Sequence, residues 1–231
     1  MPGLRGEPVE RPPGTQRVSS TASTGGGTLR VGIRSVTLLL ALLVLFSPPA
    51  TAAAARIDHE AECTYKRLTW DDFRGPIVNG QQVAWISATI VLKPLLVDMS
   101  AGEGGGAIAR ARNPIVYALM NKLESGAQRG GRTDRTLAHE QTHFDLTEYL
   151  ARRLSRELGE LAVEGEHSDE KLQRRFLIEA EGLYGKAMAE LEALNARYDG
   201  ETGHGTRAGA QKKWERRAAT LLASEPPNEL E

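Results

Sequence analysis

A single cysteine, Cys63, stands among the 231 residues of the chain. One thiol excludes an internal disulfide framework, so stability has to come from a packed core and from any metal the protein holds. Cys63 lies in ECTYKRLTW with no base beside it, which favours an incidental thiol over a nucleophile. An excess of positive charge is also missing. The formal net charge is −1, and the first 52 residues hold five Arg and two Glu, so the remainder carries −4. A mildly acidic protein offers no electrostatic footprint for nucleic acid or anionic lipid. The arginine pairs at 152–153, 174–175 and 216–217 alternate with glutamates and read as solvated helix faces. The glycine-rich AGEGGGA at 101–107 has no lysine and no following Ser or Thr of phosphate-loop type, which excludes that kind of nucleotide cradle. No internal repeat is visible.

An apolar run of membrane-spanning length is absent as well. Val36–Phe46 has eleven residues, against about 20 for a helix that crosses a bilayer. Arg30 and Arg34 precede it and SPPATAAAA follows. A basic flank, a short apolar region and a small-residue site mark a signal peptide, with cleavage expected after Ala52 in Ala50-Thr51-Ala52. Residues 1–35 are rich in Pro, Gly, Ser, Thr and Arg, lack a hydrophobic period and are expected to be disordered. The expectation is an exported protein, periplasmic or extracellular, with no stable membrane insertion after cleavage. Residues 53–222 form one domain of a size that buries a core, and 223–231 form a frayed tail.

What the chain does carry is the run His139-Glu140-Gln141-Thr142-His143. On a helix, a spacing of four turns the second imidazole only about 40° from the first, one turn higher. Both rings then reach one metal ion. Glu140 sits about 100° round from His139, where its carboxylate serves a metal-activated water. The context is helical. Thr133 and Asp134 are N-cap candidates, and Leu137, Phe144, Leu146, Leu150 and Leu154 supply a core face with no Gly or Pro before Gly159.

The rest of the chain frames this helix. Val83–Leu92 is rich in β-formers between turn signals at Asn79-Gly80 and Pro94. Pro114–Gly126 is expected to be a helix with Ile115, Leu119 and Leu123 on one face. Gly159–His167 is a break, a third helix runs from Ser168 towards Arg197, Tyr198–Gly205 is a turn, and a last helix covers about 208–222. The class is α+β: a small N-terminal β-sheet packed on a mostly helical body, with a zincin-like active-site helix. The strand around Val83–Leu92 can form an edge for an extended substrate. Trp70 and Trp85 can line such a groove, although single aromatics in a small sheet are more often core.

A catalytic zinc takes three protein ligands and an open position. Asp145 and Glu148 project about 240° and 180° from His139, and the positions that share its face, Leu146, Thr147 and Leu150, are poor zinc ligands. The third ligand therefore comes from another element. His204, in a Gly-flanked turn, is favoured; Glu179 or Glu181 on the third helix is the alternative. Tyr198 is a candidate donor to an oxyanion, with simple packing as the competing role. Asp199 is a candidate to orient a ligand imidazole from behind. His59 and His167 lie in polar stretches and receive no role.

Three stretches, Leu68-Thr69-Trp70-Asp71-Asp72-Phe73-Arg74-Gly75, Ala138-His139-Glu140-Gln141-Thr142-His143-Phe144-Asp145 and Tyr198-Asp199-x-Glu201-Thr202-x-His204-Gly205, span about 65–216. In these the chain resembles a family of exported bacterial proteins, a domain of unknown function regarded as zinc-dependent proteases. The resemblance implies a metallopeptidase-like fold, zinc, an envelope or extracellular location and proteolysis. Relatives are expected to carry a tryptophan soon after a serine ahead of the pentad, where this chain reads Glu124-Ser125-Gly126. The function expected first is an exported zinc peptidase with one zinc per chain, Glu140 as general base and a peptide or protein as substrate. A zinc amidase acting on cell-wall peptides and a non-catalytic metal-binding envelope or interaction protein are the alternatives. Glu140 argues against the last, because a structural site needs no base and closes its fourth position with protein.

Overall fold

The pentad helix forms as its cap and spacing dictate. α1 spans Asp134–Glu160. Thr133 is extended at the N-cap, and its hydroxyl accepts the Thr136 amide at 3.2 Å, which satisfies one of the amides a helix start leaves open. Phe144, Leu146, Leu150, Leu154 and Leu158 are fully buried along it. Each such leucine contributes about 1.5–3 kcal/mol. The structure, a computed structural model, describes residues 60–76 and 83–227. The expected signal peptide and its cleavage site, His59, the Asn79-Gly80 turn and the last four residues of the tail lie outside the described residues. Among the described residues no helix is long and apolar enough to cross a membrane.

Three small antiparallel sheets surround α1. The first has β1 (Glu62–Thr64), β6 (Val116–Asn121) and β3 (Ala88–Leu92) in the order β1-β6-β3. Val116, Ala118 and Met120 stand opposite Leu92, Ile90 and Ala88, and this face packs on α1. Ile90 and Val116 join Leu150, Leu154 and Phe176 in the main core. Ala118 and Met120 join Phe144, Leu68 and Phe73 in a second cluster. β2 (Ala84–Trp85) pairs with β7 (Gly126–Ala127). β4 (Leu96–Ala101) and β5 (Ala107–Arg112) form a hairpin to which β8 (Ala162–Gly165) adds along β5.

Two helices cover the other side of α1. α2 spans Glu170–Thr202 and α3 spans Ala208–Ser224. Leu146 of α1 packs there with Tyr198, Trp214 and Ala218. α1 is thus enclosed by sheet on one side and helices on the other, which is why its buried stripe is so wide. The class is α+β.

Several elements differ from the sequence expectation. Pro114–Gly126 is β6, a tight turn and the start of β7, not a helix. β6 is the middle strand of its sheet, with Val116, Tyr117, Ala118 and Met120 all buried. A strand buried on both faces shows no alternation, and Leu119 and Leu123 then mimic a helical period. The glycine-rich loop joins β4 to β5, and the break at 159–167 contains β8. α2 runs past Arg197 to Thr202 and stops where Gly203 adopts the left-handed conformation at φ 58°.

Candidate metal centre

All five residues of the pentad are buried. The His139 and His143 rings meet edge to face at 4.8 Å between centroids. Each places Nε2 3.1 Å from the same oxygen, Asp199 Oδ1. The ligand atoms of His139, His143 and Asp199 all lie within 4.8 Å of one another. Each Nδ1 meets an amide oxygen. His143 Nδ1 lies 2.9 Å from Asn195 Oδ1, and His139 Nδ1 lies 3.1 Å from Gln211 Oε1. Asn195 and Asp199 are four residues apart on α2, on one helix face, and so bracket the His143 ring.

These contacts fix the chemistry of the centre. An imidazole that donates Nδ1–H to an amide oxygen turns its Nε2 lone pair to the other side. Two Nε2 atoms and a carboxylate oxygen then converge, an arrangement that a proton or a metal cation between them makes favourable. Protons serve in the absence of a metal. Burial opposes a charged Asp199, but hydrogen bonds and charge from His139 and His143 outweigh it and hold the carboxyl well below the ordinary range. Burial likewise opposes a charged His143, yet the Asp199 hydrogen bond and the Glu140 charge raise its pKa above the ordinary value. A divalent ion would take the place of those protons, and two imidazole nitrogens with one carboxylate form a donor set that suits zinc.

Glu140 faces the same cavity, about 750 Å³ in volume, together with His139, His143 and Asp199. It is 3% exposed. Burial pushes its carboxyl pKa up, the charges of His143 and His139 offset part of this, and the Ile86 backbone amide adds a hydrogen bond. The opposite wall is Val83, Trp85, Ile86 and Ala88. Trp85 is seated on Gly126, where a Cβ would come within 2.3 Å of its ring, and its Nε1 donates to Glu124 O at 2.8 Å. An indole therefore does lie beside Ser125-Gly126, delivered from β2. Trp70 packs instead against Phe73 at 5.1 Å.

The wall has an open edge. Asn121 N donates to Ser87 O and Lys93 N donates to Ile115 O, so odd-numbered residues from 87 to 93 bond β6. By alternation the even-numbered residues turn their N–H and C=O the other way. Tyr184 Oη takes Ile90 O at 3.1 Å. The Ile86 N–H is taken by Glu140, and Ala88 remains beside the cavity.

The structure sorts the residues singled out in the sequence. Asp199, expected behind an imidazole, has its oxygen on the Nε2 side, within the group of three that could hold a metal. The cause is that α2 continues through Tyr198 and Asp199 instead of turning there. His204 lines the cavity rim, with its side chain 61% exposed and Nδ1 3.5 Å from Asp199 Oδ1. It does not join the close group. Glu179 and Glu181 are exposed on α2, 18 or more residues from Asp199 and so roughly 27 Å or more along the helix. Tyr198 is fully buried behind the rings, stacked on His139 at 4.6 Å. Its hydroxyl donates towards Gln211 Oε1 and His139 O at 2.8 and 3.2 Å, so it does not face the cavity. Cys63 is buried away from the centre, and burial first, then the Asp72 charge, raise its thiol pKa.

Asn195 and Gln211 were not legible in the sequence as parts of the centre. Asn195 sits one helical turn before Asp199, a spacing that identifies it only once the helix is known to continue. Gln211 carries no such signal. Gln141 is a third buried amide, with a structural role. Its Oε1 accepts Leu68 N at 2.7 Å and its Nε2 donates to Asp145 Oδ1 at 2.8 Å. Gln141→Ala leaves the Leu68 amide buried without an acceptor and should cost about 1–3 kcal/mol. Urea unfolding measures this, and an unchanged midpoint would show that the 66–68 segment is not pinned through Gln141.

Compared with protein-family models, with curated proteins and with solved structures, the chain matches none.

Proposed function

We propose that this protein is an exported zinc-dependent peptidase in which His139, His143 and Asp199 hold the metal and Glu140 is the general base. The observation that carries the reading is the convergence of two imidazole nitrogens and a carboxylate oxygen beside a second, buried carboxylate in one cavity. The export part of the proposal rests on the pattern of residues 30–55. Zinc in such a site supplies Lewis acidity, acidifying a water towards a pKa of about 7 and polarising a carbonyl.

The chain's own residues supply the rest. Glu140, with its pKa raised by burial, takes the proton of the attacking water and returns it to the leaving nitrogen. The edge at Ala88 accepts an extended peptide by strand addition, which sets a peptide bond against the floor of the cavity. Trp85 lines the cavity on that side and presents an apolar surface to the substrate.

Metal analysis of the purified protein tests the ligand set. Wild type should hold about one zinc, His143→Ala and Asp199→Ala should lose it, and His204→Ala should keep it. Loss in His204→Ala with retention in Asp199→Ala would overturn the assignment of the third ligand. A zinc-loaded protein that cleaves nothing in a peptide library would overturn the peptidase reading.

Acid should weaken zinc binding, because a protonated imidazole does not coordinate. The raised pKa of metal-free His143 sets the direction. Proton competition should begin above the ordinary imidazole pKa of about 6.5 and grow as pH falls through it. Chelator competition across pH measures this, and a flat affinity from pH 8 to about pH 6 would contradict it.

A further inference from the structure

α3 carries no metal ligand, yet one of its side chains governs how His139 presents itself. Resting on the metal-site reading above, we propose that Glu215 and Gln211 form a positioning relay that fixes the tautomer of His139 and thereby the affinity of the site for a divalent cation. Gln211 is 2% exposed. Its Nε2 donates to Glu215 Oε1 at 3.0 Å, and its Oε1 lies 3.1 Å from His139 Nδ1.

The logic is one of donors and acceptors. An amide presents a donor on one side and an acceptor on the other, so either orientation fits the same volume. An ionised carboxylate only accepts. Glu215 therefore holds the NH2 end of Gln211 towards itself and turns the carbonyl end to His139. The Tyr198 hydroxyl, 2.8 Å from the same Oε1 and 3.2 Å from His139 O, accommodates this orientation. An acceptor at Nδ1 keeps that nitrogen protonated, so that when a cation takes the place of the Nε2 proton, the Nε2 lone pair is the one aimed at the point it shares with His143 and Asp199. With the amide reversed, the proton would move to Nε2, and His139 could not bind a metal there. A ligand histidine commonly donates its second N–H directly to a carboxylate or a carbonyl. Here the carboxylate acts one residue removed, across one turn of α3.

Two readouts on the full-length protein test the relay: zinc affinity by chelator competition, and the protonation pattern of the His139 ring by imidazole nitrogen NMR. Glu215→Gln removes the acceptor-only partner at a half-buried position. It should weaken zinc binding about tenfold and lower the proton occupancy of His139 Nδ1 in the metal-free protein. The exchange Q211E/E215Q keeps the composition and charge of wild type while setting a carboxylate directly on His139 Nδ1. It should restore both the affinity and the Nδ1–H signal. A Glu215→Gln protein with unchanged affinity and tautomer overturns the proposal, as does a folded exchange variant that restores neither. Should wild type bind no zinc, the metal reading fails, and the NMR signal still decides the relay.

Discussion

Glu140→Gln should lower peptide hydrolysis by about 10²–10⁴-fold, the contribution typical of a positioned general base, and leave the bound zinc in place. Glu140 lies in the cavity but outside the group of converging ligand atoms, so its loss removes a proton acceptor and not a ligand. Glutamine keeps the volume of the side chain and can still accept from the Ile86 amide. It also removes a carboxylate whose charge burial disfavours, so the fold should not suffer. The checks are steady-state turnover of a peptide that wild type cleaves, zinc content and thermal unfolding. Full activity in this variant would place the base elsewhere and sink the mechanism. Loss of zinc together with activity would make Glu140 a ligand instead.

Gly205→Ala should be the most damaging change outside the ligands. Gly205 has φ 79°, a region L side chains rarely adopt, and an added Cβ would lie 3.2 Å from both Cβ and Cγ of His139 and 3.3 Å from its Nδ1. The imidazole has little room to yield, because Tyr198 stacks on it and Gln211 holds its Nδ1. The backbone strain costs about 1–3 kcal/mol, and displacement of the ring should weaken zinc binding about 10–100-fold, as changes around a ligand usually do. Chelator competition and thermal unfolding measure the two effects separately. Wild-type affinity would mean that the 203–206 turn moves freely away from α1.

These two residues also mark how far the sequence could be read. The pentad helix was legible down to its cap, because Thr133, the apolar spacing and the absence of Pro all point one way. Glu140 followed from helical geometry alone. The α+β class followed from the contrast between the β-rich stretch at 83–92 and the long amphipathic stretches after it. β6 was not legible, since pairing on both sides buries it and erases the period that identifies a strand. Asp199 was placed in a turn because Asp-Gly at 199–200 resembles one. The stop signal that operates is the left-handed Gly203, three residues later, and those extra residues carry Asp199 onto a helix face opposite α1. Glu179 and Glu181 were plausible as ligands by residue type, and only the direction of α2 removes them. Gln211 was beyond reach, because an amide that orients an imidazole has no pattern in sequence until α3 is docked.

Both imidazoles and the Asp199 carboxylate are borne on regular helices of 27 and 33 residues rather than on loops. The two helices grip like fixed jaws, and the leucine-rich seam between them resists sliding. On the proposed reading, an ion would enter and leave through the mouth of the cleft by making and breaking its own bonds one at a time.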